Sequence, residues 1–280
     1  MAPDLKCQTW MHYLSLLPKV KYQKISPLTT ISTRCRLLLM TLTDRQNKIL
    51  KAIIDEYVAT AEPVGSETLD KKYTLGVSPA TLRNEMMSLT KAGYLLQTHT
   101  SAGRIPTPSA MRYYIQNLMK TKDMSVSEEV AVKEKLGESK KEFQKMLSDA
   151  TKELAKRTKS LAVAADNEDN TYYSGVFNIL NAPEFYDIDL TRSLLEMLDQ
   201  VDNMHKLFAH GANVNEIQIL MGEELGQRMF APCGMIYTRF GNSKIGGTIG
   251  ILGPYRFNYP VVIPTIRYFG DTIDQMLSSW

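Results

Sequence analysis

The chain has 280 residues, of which 44% are hydrophobic, and it carries 33 basic and 30 acidic side chains. No apolar run approaches the ~20 residues of a membrane-spanning helix, and the three cysteines lack the spacing of a disulfide framework or a metal site. The composition therefore argues against a membrane protein and a disulfide-rich secreted protein, and it is typical of a protein of the reducing cytoplasm.

The charge is unevenly distributed along the chain. Residues 1–39 carry six basic and one acidic residue, and residues 40–120 carry ten and seven. Residues 166–280 carry seven basic and fourteen acidic residues. A basic front half and an acidic rear predict a head that binds a polyanion and a tail that does not touch it.

Residues 1–39 mix apolar, aromatic and basic residues without a helical or strand period. They lack the continuous apolar stretch and the small-residue cleavage site of a signal peptide. We expect a disordered extension here. Met40 directly precedes a clean helix start, so it is an alternative initiator of the chain.

Residues 40–106 predict a small domain that begins with two helices. Thr43 and Gln46 have the capping-box spacing that begins the first helix. Pro63 lies beyond the end of that helix, and Ser66 can cap a short second helix.

The third helix of this domain has the clearest boundaries. Ser78 suits the N-cap, Pro79 suits the first helical position, and Gly93 suits the residue after the last turn. One face of this helix carries small and polar residues, among them Arg83 and Asn84, whose side chains can make bidentate contacts with base edges. The apolar face has helical spacing and consists of Leu82, Met86 and Leu89.

A two-stranded hairpin follows the third helix. Residues 94–97 predict a strand, residues 98–103 a turn, and residues 104–105 the returning strand, with Pro106 at its end. Three helices and a hairpin in this order predict a winged helix-turn-helix that docks its third helix on duplex DNA. The alternative is that the polar face of the third helix is merely solvated.

This region resembles the DNA-binding domain of the HrcA family of heat-inducible transcription repressors in three strings, TDRQNKILKAIIDEYVATAEPVGSETL, SPATLRNEM and HTSAGRIPT. The resemblance implies a repressor that binds, as a homodimer, an inverted-repeat operator in double-stranded DNA upstream of chaperone operons. It also implies dependence on the GroE chaperonin. Heat-unfolded proteins would titrate this chaperonin and leave the repressor inactive.

The resemblance also implies which residues contact DNA. The major groove would be contacted by the third helix through Ser78, Pro79, Ala80, Thr81, Arg83 and Asn84. The wing would contact the DNA backbone or the minor groove through His99, Thr100, Ser101 and Arg104. Further basic residues are candidates for phosphate contacts, which position a protein without specifying sequence. These candidates are Arg45, Lys48, Lys72 and Lys91.

Residues 107–165 predict a helical connector. Thr107 and Pro108 repeat the pairing of N-cap and first helical position, and the residues beyond them are rich in charge. A near-heptad apolar seam there is either a core within the chain or a dimer coiled coil, and we favour a connector that helps to pair two subunits. The seam consists of Leu136, Phe143, Leu147, Leu154 and Leu161.

Residues 166–280 predict an α+β domain, with a sheet that carries helices on one side. The polar residues 166–170 mark its boundary, and Asp189 can cap a helix. A last helix begins near Tyr259. The predicted strands are residues 172–179, 217–221, 234–240 and 247–252.

This rear domain resembles the GAF-like domain of the same family in GVFNILNAPEF, MGEEL and GGTIGILGPYRFNYPVVIPTIRYF. Family members carry a long strand-rich segment before the first of these strings, including part of an inserted dimerising region. Here Ala165 runs almost directly into Tyr172, which predicts a reduced sheet and puts the family's usual dimer surface in question. The resemblance covers residues 42–120 and 172–277.

No catalytic or metal-binding constellation is apparent in the sequence. The four histidines lack ligand spacing with cysteines, and Glu223 and Glu224 lack a nucleophile or base partner. The sequence therefore predicts no cofactor and no enzymatic activity. The alternative function is a ligand-sensing regulator with a small-molecule site in the rear domain, which rests on analogy with other GAF-type domains.

Overall fold

The computed structural model separates the chain into two compact units, residues 1–118 and 119–280, which are described one at a time. In the part that the structure describes, every helix is too short or too polar to cross a bilayer. The described residues are 42–97, 103–138, 143–168, 170–199, 208, 214, 216–242 and 245–278.

The first unit contains helices and one short hairpin. Two of its helices begin directly after the predicted cap residues, Thr43 and Ser78. The second helix has Gly65 at its N-cap and begins at Ser66, so the prediction that Ser66 caps it is wrong. A π-helical turn, Tyr114–Leu118, ends the unit. The other elements are α1 (Asp44–Thr60), α2 (Ser66–Lys72), α3 (Pro79–Lys91), β1 (Leu95–Leu96), β2 (Ile105–Pro106) and α4 (Pro108–Tyr113).

Helix α1 is capped at its first turn and packed along one face. Thr43 Oγ1 accepts from the backbone N–H of Gln46 at 3.2 Å, and Gln46 Oε1 accepts from the N–H of Thr43 at 3.1 Å. This reciprocal pair satisfies two donors that a helix start otherwise leaves open. The core of the unit is apolar, and its fully buried members include Ile49, Leu50, Ile53, Leu69, Leu82 and Leu89.

The hairpin of β1 and β2 is joined to the segment before α2. Leu96 pairs with Ile105, and Val64 forms an antiparallel bridge with Arg104 through N–H···O bonds of 2.9 and 2.8 Å. Gly103 makes this approach possible, because a Cβ atom there would lie 2.6 Å from the carbonyl carbon of Val64. The hairpin therefore adds a third extended segment to its two short strands.

The second unit is a five-stranded antiparallel sheet with helices. The spatial order of its strands is β4-β3-β7-β6-β5. Three 3-10 turns, Pro183–Tyr186, Gly222–Leu225 and Arg228–Phe230, join its elements. The elements are α5 (Val126–Glu138), α6 (Phe143–Thr158), β3 (Leu161–Asp166), β4 (Thr171–Ser174), α7 (Val176–Ile179), α8 (Ile188–Asp199), β5 (Gln218–Met221), β6 (Cys233–Gly241), β7 (Gly246–Pro254) and α9 (Tyr259–Leu277).

The sheet is covered on both faces, whereas the sequence predicted helices on one side only. Helices α6 and α9 pack on one face. The other face forms an apolar core with α8 and the 3-10 turns, and every residue of β3 is buried. Alternate residues of β3 face opposite layers, so a strand that is apolar throughout requires cover on both sides.

The predicted connector over residues 107–165 is not a separate element. Helix α4 belongs to the first unit, α5 and α6 pack into the second, and Leu161 begins a strand of its sheet. Leu136, Leu147 and Leu154 are fully buried within the chain, so the apolar seam is an internal core. The spacing of the apolar residues could not distinguish an internal core from a dimer coiled coil, because a helix packed on a sheet also buries one apolar stripe.

The polar residues Asp166, Asn167, Glu168 and Asn170 lie where strands β3 and β4 meet in a hairpin. The Asp166 carboxylate accepts from the backbone N–H groups of Glu168 and Asn170 at 2.9 Å and from the Tyr172 hydroxyl at 3.1 Å. Strands β3 and β4 pair on either side of this turn. The structure thus places the break between compact units at residues 118 and 119 instead of residue 166.

Two further boundaries differ from the sequence predictions. The strand predicted over residues 172–179 ends at Ser174, because Gly175 has a φ of 82° and helix α7 follows. Asp187, and not Asp189, caps α8, since its carboxylate accepts from the N–H groups of Asp189 and Leu190 at 3.0 and 3.2 Å.

Candidate nucleic-acid interface

Helix α3 has a buried face and an exposed face. Ser78 Oγ accepts from the N–H of Thr81 at 3.2 Å and so fixes the first turn. The three apolar residues predicted for the core are buried, as the helical spacing indicated. Thr81 is half-buried. The exposed residues of the helix start and outer face include Ser78, Pro79, Ala80, Arg83, Asn84, Met87 and Lys91.

The Arg83 guanidinium is held at one edge by residues of α2. Its Nε donates to Ser66 Oγ at 3.2 Å, and its Nη2 lies 3.6 Å from Glu67 Oε1. The Arg83 side chain is nevertheless 67% exposed. The group is therefore oriented by the protein and accessible to a ligand.

A groove of about 640 Å³ lies beside this group, between α2, α3 and the hairpin. It is open to solvent, and the charged residues that line it are Arg83, Arg104 and Glu67. Its concave shape and polar lining suit the ridge of an extended polyanion. The lining residues are Pro63, Gly65, Ser66, Glu67, Thr68, Arg83, Asn84, Met86, Met87, Gln97, Gly103 and Arg104.

Arg104 joins the hairpin to α3. Its Nε donates to Thr90 Oγ1 at 2.9 Å, and its backbone forms the bridge with Val64. The side chain is half-buried. The other three residues that the family resemblance places in the wing, His99, Thr100 and Ser101, lie outside the described residues.

Lys72 differs from the other phosphate-contact candidates because its amine is paired with a buried carboxylate. Lys72 Nζ lies 2.5 Å from Glu56 Oε1, and Glu56 is buried. Tyr73 donates its hydroxyl to Glu56 Oε2 at 3.3 Å, and burial together with Glu56 raises the pKa of Tyr73. Lys72 therefore neutralises a buried carboxylate in the fold.

Arg45, Lys48 and Lys91 are exposed. Arg45 Nη1 lies 3.4 Å from Glu85 Oε1, and Arg45 is 56% exposed. An exposed ion pair of this kind contributes ~0–1 kcal/mol, so it does not prevent Arg45 from turning to a phosphate.

Sequence reasoning did not assign Ser66 or Glu67 to the site. Both belong to the string that carries the family resemblance, but each is far from Arg83 in sequence (17 residues for Ser66), and the contacts depend on the packing of α2 against α3. Ser66 is unusual in being a buried serine, and this burial is apparent only in the structure.

Charged groups in the second unit serve the fold. Arg256 donates two hydrogen bonds to Glu184. Burial raises the pKa of the Cys233 thiol, and the negative charge of Glu184 raises it further. Glu224 Oε2 accepts from the N–H of Met221 at 2.8 Å, as a turn residue does. Within the described ranges, no cluster of three or more His, Cys, Asp or Glu side chains could hold a metal ion.

A protein-family model, the HrcA protein C terminal domain, matches residues 107–263, more than half of the chain. Two relatives, both described as heat-inducible transcription repressor HrcA, come from Pelotomaculum thermopropionicum and Desulforamulus reducens. The first is 28% identical over 340 aligned positions, covering 85% of this chain and 97% of the relative. The second is 29% identical over 343 positions, covering 85% and 99%.

These alignments are longer than the chain, so the relatives carry residues that this chain lacks. The fold is similar to that of a hypothetical protein whose crystal structure was determined at 2.2 Å resolution. The TM-score is 0.67 at 17% identity, with 85% of this chain and 99% of that chain covered. Since the family model matches more than half of the chain, this chain belongs to the HrcA family.

Proposed function

We propose that the protein is a sequence-specific DNA-binding transcription repressor of heat-shock genes. The observation that carries the proposal is the outer face of α3, where Arg83 and Asn84 are exposed beside an open groove. The relatives described as heat-inducible transcription repressors support the same function. Such a repressor works in the cytoplasm, where the bacterial chromosome lies.

The first unit acts as a winged helix-turn-helix. Helices α1 and α2 support α3, which enters the major groove, and the hairpin lies beside it as the wing. The small residues at the start of α3, Ala80 among them, let the helix approach the base edges closely. Arg83 then binds guanine O6 and N7, and Asn84 binds adenine N6 and N7.

Contacts outside the major groove position the protein without reading sequence. Arg45, Lys48 and Lys91 bind phosphates, and Lys72 contributes charge nearby while it stays paired with Glu56. The wing contacts the backbone or the minor groove through Arg104 and through His99, Thr100 and Ser101.

The protein binds its operator as a homodimer, and the operator is an inverted repeat. A two-fold axis relates two copies of α3, so each copy reads one half-site in the opposite direction. The GAF-like second unit pairs the subunits.

Heat acts through the GroE chaperonin. The active form folds with chaperonin assistance, and heat-unfolded proteins occupy the chaperonin, so the repressor stays inactive and the chaperone genes are transcribed. A refolding assay tests this step, since added chaperonin should raise the yield of operator-binding protein. An unchanged yield would contradict it.

Selection from a randomised duplex pool followed by a gel-shift assay tests the central proposal. The full chain should enrich an inverted repeat and bind it more tightly than a scrambled duplex of equal composition. Equal affinity for both duplexes would overturn sequence-specific repression.

The alternative of a small-molecule sensor stays a prediction. The described interior of the second unit is lined by aliphatic and aromatic side chains, which favours a packed core over a polar ligand site. A thermal-shift screen with a metabolite panel distinguishes the two functions, because a sensor should gain stability with at least one metabolite.

A further inference from the structure

Two consecutive residues of α2 contact the same guanidinium group of α3. Ser66, which is 8% exposed, accepts from Arg83 Nε, and Glu67, whose side chain is 74% exposed, lies beside Nη2. One contact is therefore a sheltered hydrogen bond and the other a solvent-exposed ion pair. Both contacts lie on the edge of the planar group that carries Nε and Nη2.

The hydrogen bond to Ser66 decides which donors of Arg83 face a ligand. Guanidinium has five donors in a rigid fork, and a base is bound by two of them in parallel. Since Nε is occupied, the terminal Nη1 and Nη2 atoms remain for guanine O6 and N7. Without Ser66 the group could rotate and present Nε and one Nη atom to a phosphate instead.

Glu67 acts on the choice between base and phosphate. A phosphate bound to Nη2 would bring its negative charge close to the Glu67 carboxylate, and like charges repel at this range. The acceptor edge of guanine is uncharged and meets little of this repulsion. The carboxylate therefore penalises the sequence-independent contact more than the sequence-dependent one.

We propose that Ser66 and Glu67 are specificity-determining residues that direct Arg83 to guanine and away from the DNA backbone. The inference rests on the proposed function and adds two residues that do not themselves read bases. Ser66 is a positioning residue, and Glu67 weakens binding to the wrong target.

The test measures affinity of the full chain for its enriched duplex and for a scrambled duplex. Ser66→Ala should lower the ratio of affinities about 2- to 10-fold, as loss of one hydrogen bond predicts. It should do so through weaker binding of the enriched duplex, and Ser66→Thr, which keeps a hydroxyl, should recover most of the ratio. Glu67→Gln should lower the ratio about 2- to 5-fold through tighter binding of the scrambled duplex.

A matched control separates this effect from general charge. Asp70→Asn removes the same charge from the same helix one turn away, at another exposed residue. It should raise affinity for both duplexes equally and leave the ratio unchanged. In an Arg83→Ala background, Ser66→Ala and Glu67→Gln should lose their effects on the ratio.

The inference is overturned if the ratio is unchanged in both α2 variants, if Asp70→Asn lowers it as much as Glu67→Gln, or if the effects persist without Arg83. Each of these results can occur while the wild-type protein prefers its enriched duplex, so the proposed function would stand. A wild-type protein without any preference overturns the proposed function, and this inference with it. Unfolding curves verify that each variant folds.

Discussion

Each unit holds an arginine against a glutamate, and the two pairs differ in what they leave accessible. In the second unit, Arg256 donates from Nε and Nη2 to the two carboxylate oxygens of Glu184 at 2.6 and 3.1 Å, and the side chains are 14% and 2% exposed. In the first, Arg83 lies 3.6 Å from Glu67 and is mostly exposed. A doubly bonded, buried fork stabilises the fold, whereas a loosely held fork can bind another molecule.

The largest expected effect comes from breaking the buried pair. Arg256→Met leaves the Glu184 carboxylate buried without its partner, so the free energy of unfolding should fall by ~3–5 kcal/mol. Denaturant unfolding of the full chain measures this loss. The double variant Glu184→Gln/Arg256→Met removes both charges and should recover part of it. A loss below ~1 kcal/mol in the single variant would show that the pair is not an important part of the fold.

The exposed arginine should show the opposite behaviour. Arg83→Ala should lower the free energy of unfolding by at most ~1.5 kcal/mol, because it removes one hydrogen bond to Ser66 and one exposed ion pair. It should cost ~1–3 kcal/mol of discrimination per half-site, because a bidentate contact with guanine is lost. Gel-shift titrations with enriched and scrambled duplexes measure that discrimination. If their affinity ratio equals that of the wild type, Arg83 does not read a base.

Two lysines of the first unit sharpen the comparison. Lys72→Met should lower the free energy of unfolding by ~1–2 kcal/mol, since Glu56 is buried and loses a charged hydrogen-bond partner. Lys91→Met should leave stability unchanged but reduce the magnitude of the salt slope of DNA binding by about 2, because the dimer loses two phosphate contacts. Six neutralised phosphates per dimer would give a wild-type slope near ~−5.

A different result would contradict each of these two lysine predictions. If Lys72→Met leaves unfolding unchanged, its bond with Glu56 contributes little to the fold. If the salt slope with Lys91→Met equals that of the wild type, Lys91 does not touch a phosphate.

The smallest expected effect is a pH dependence in the second unit. Burial, with a smaller contribution from Asp166, raises the pKa of Tyr172 to about 12. The folded state favours the neutral phenol, so this contribution is complete below the unfolded pKa of about 10 and is lost as pH rises towards 12. Unfolding curves should therefore converge for wild type and Tyr172→Phe above pH 10. A constant difference between them would exclude this titration.

Local signals explain why the first unit was easier to predict. The cap residues Thr43 and Ser78 determine helix starts through bonds to neighbours within three residues, and both act as predicted. The contact between Ser66 and Arg83 has no such local signal. It exists because α2 packs against α3, and a single sequence does not specify that geometry.

The second unit shows where short apolar runs mislead. Leu161 lies at helical spacing from Leu154, but the residues after it form a strand covered on both faces. Periodicity cannot separate a fully buried strand from a buried helix when the run is this short. Likewise the polar run at Asp166 indicates exposure, which a hairpin turn and a domain linker share.

The side chain of Glu85 on α3 has one further consequence. Its Oε1 accepts from Arg45 at 3.4 Å and its Oε2 from Gln46 Nε2 at 3.1 Å, so the start of α1 is attached to α3 at two independent points. A phosphate that attracts Arg45 would break only one of them. This redundancy lets the Arg45 side chain change partners while α3 keeps its orientation.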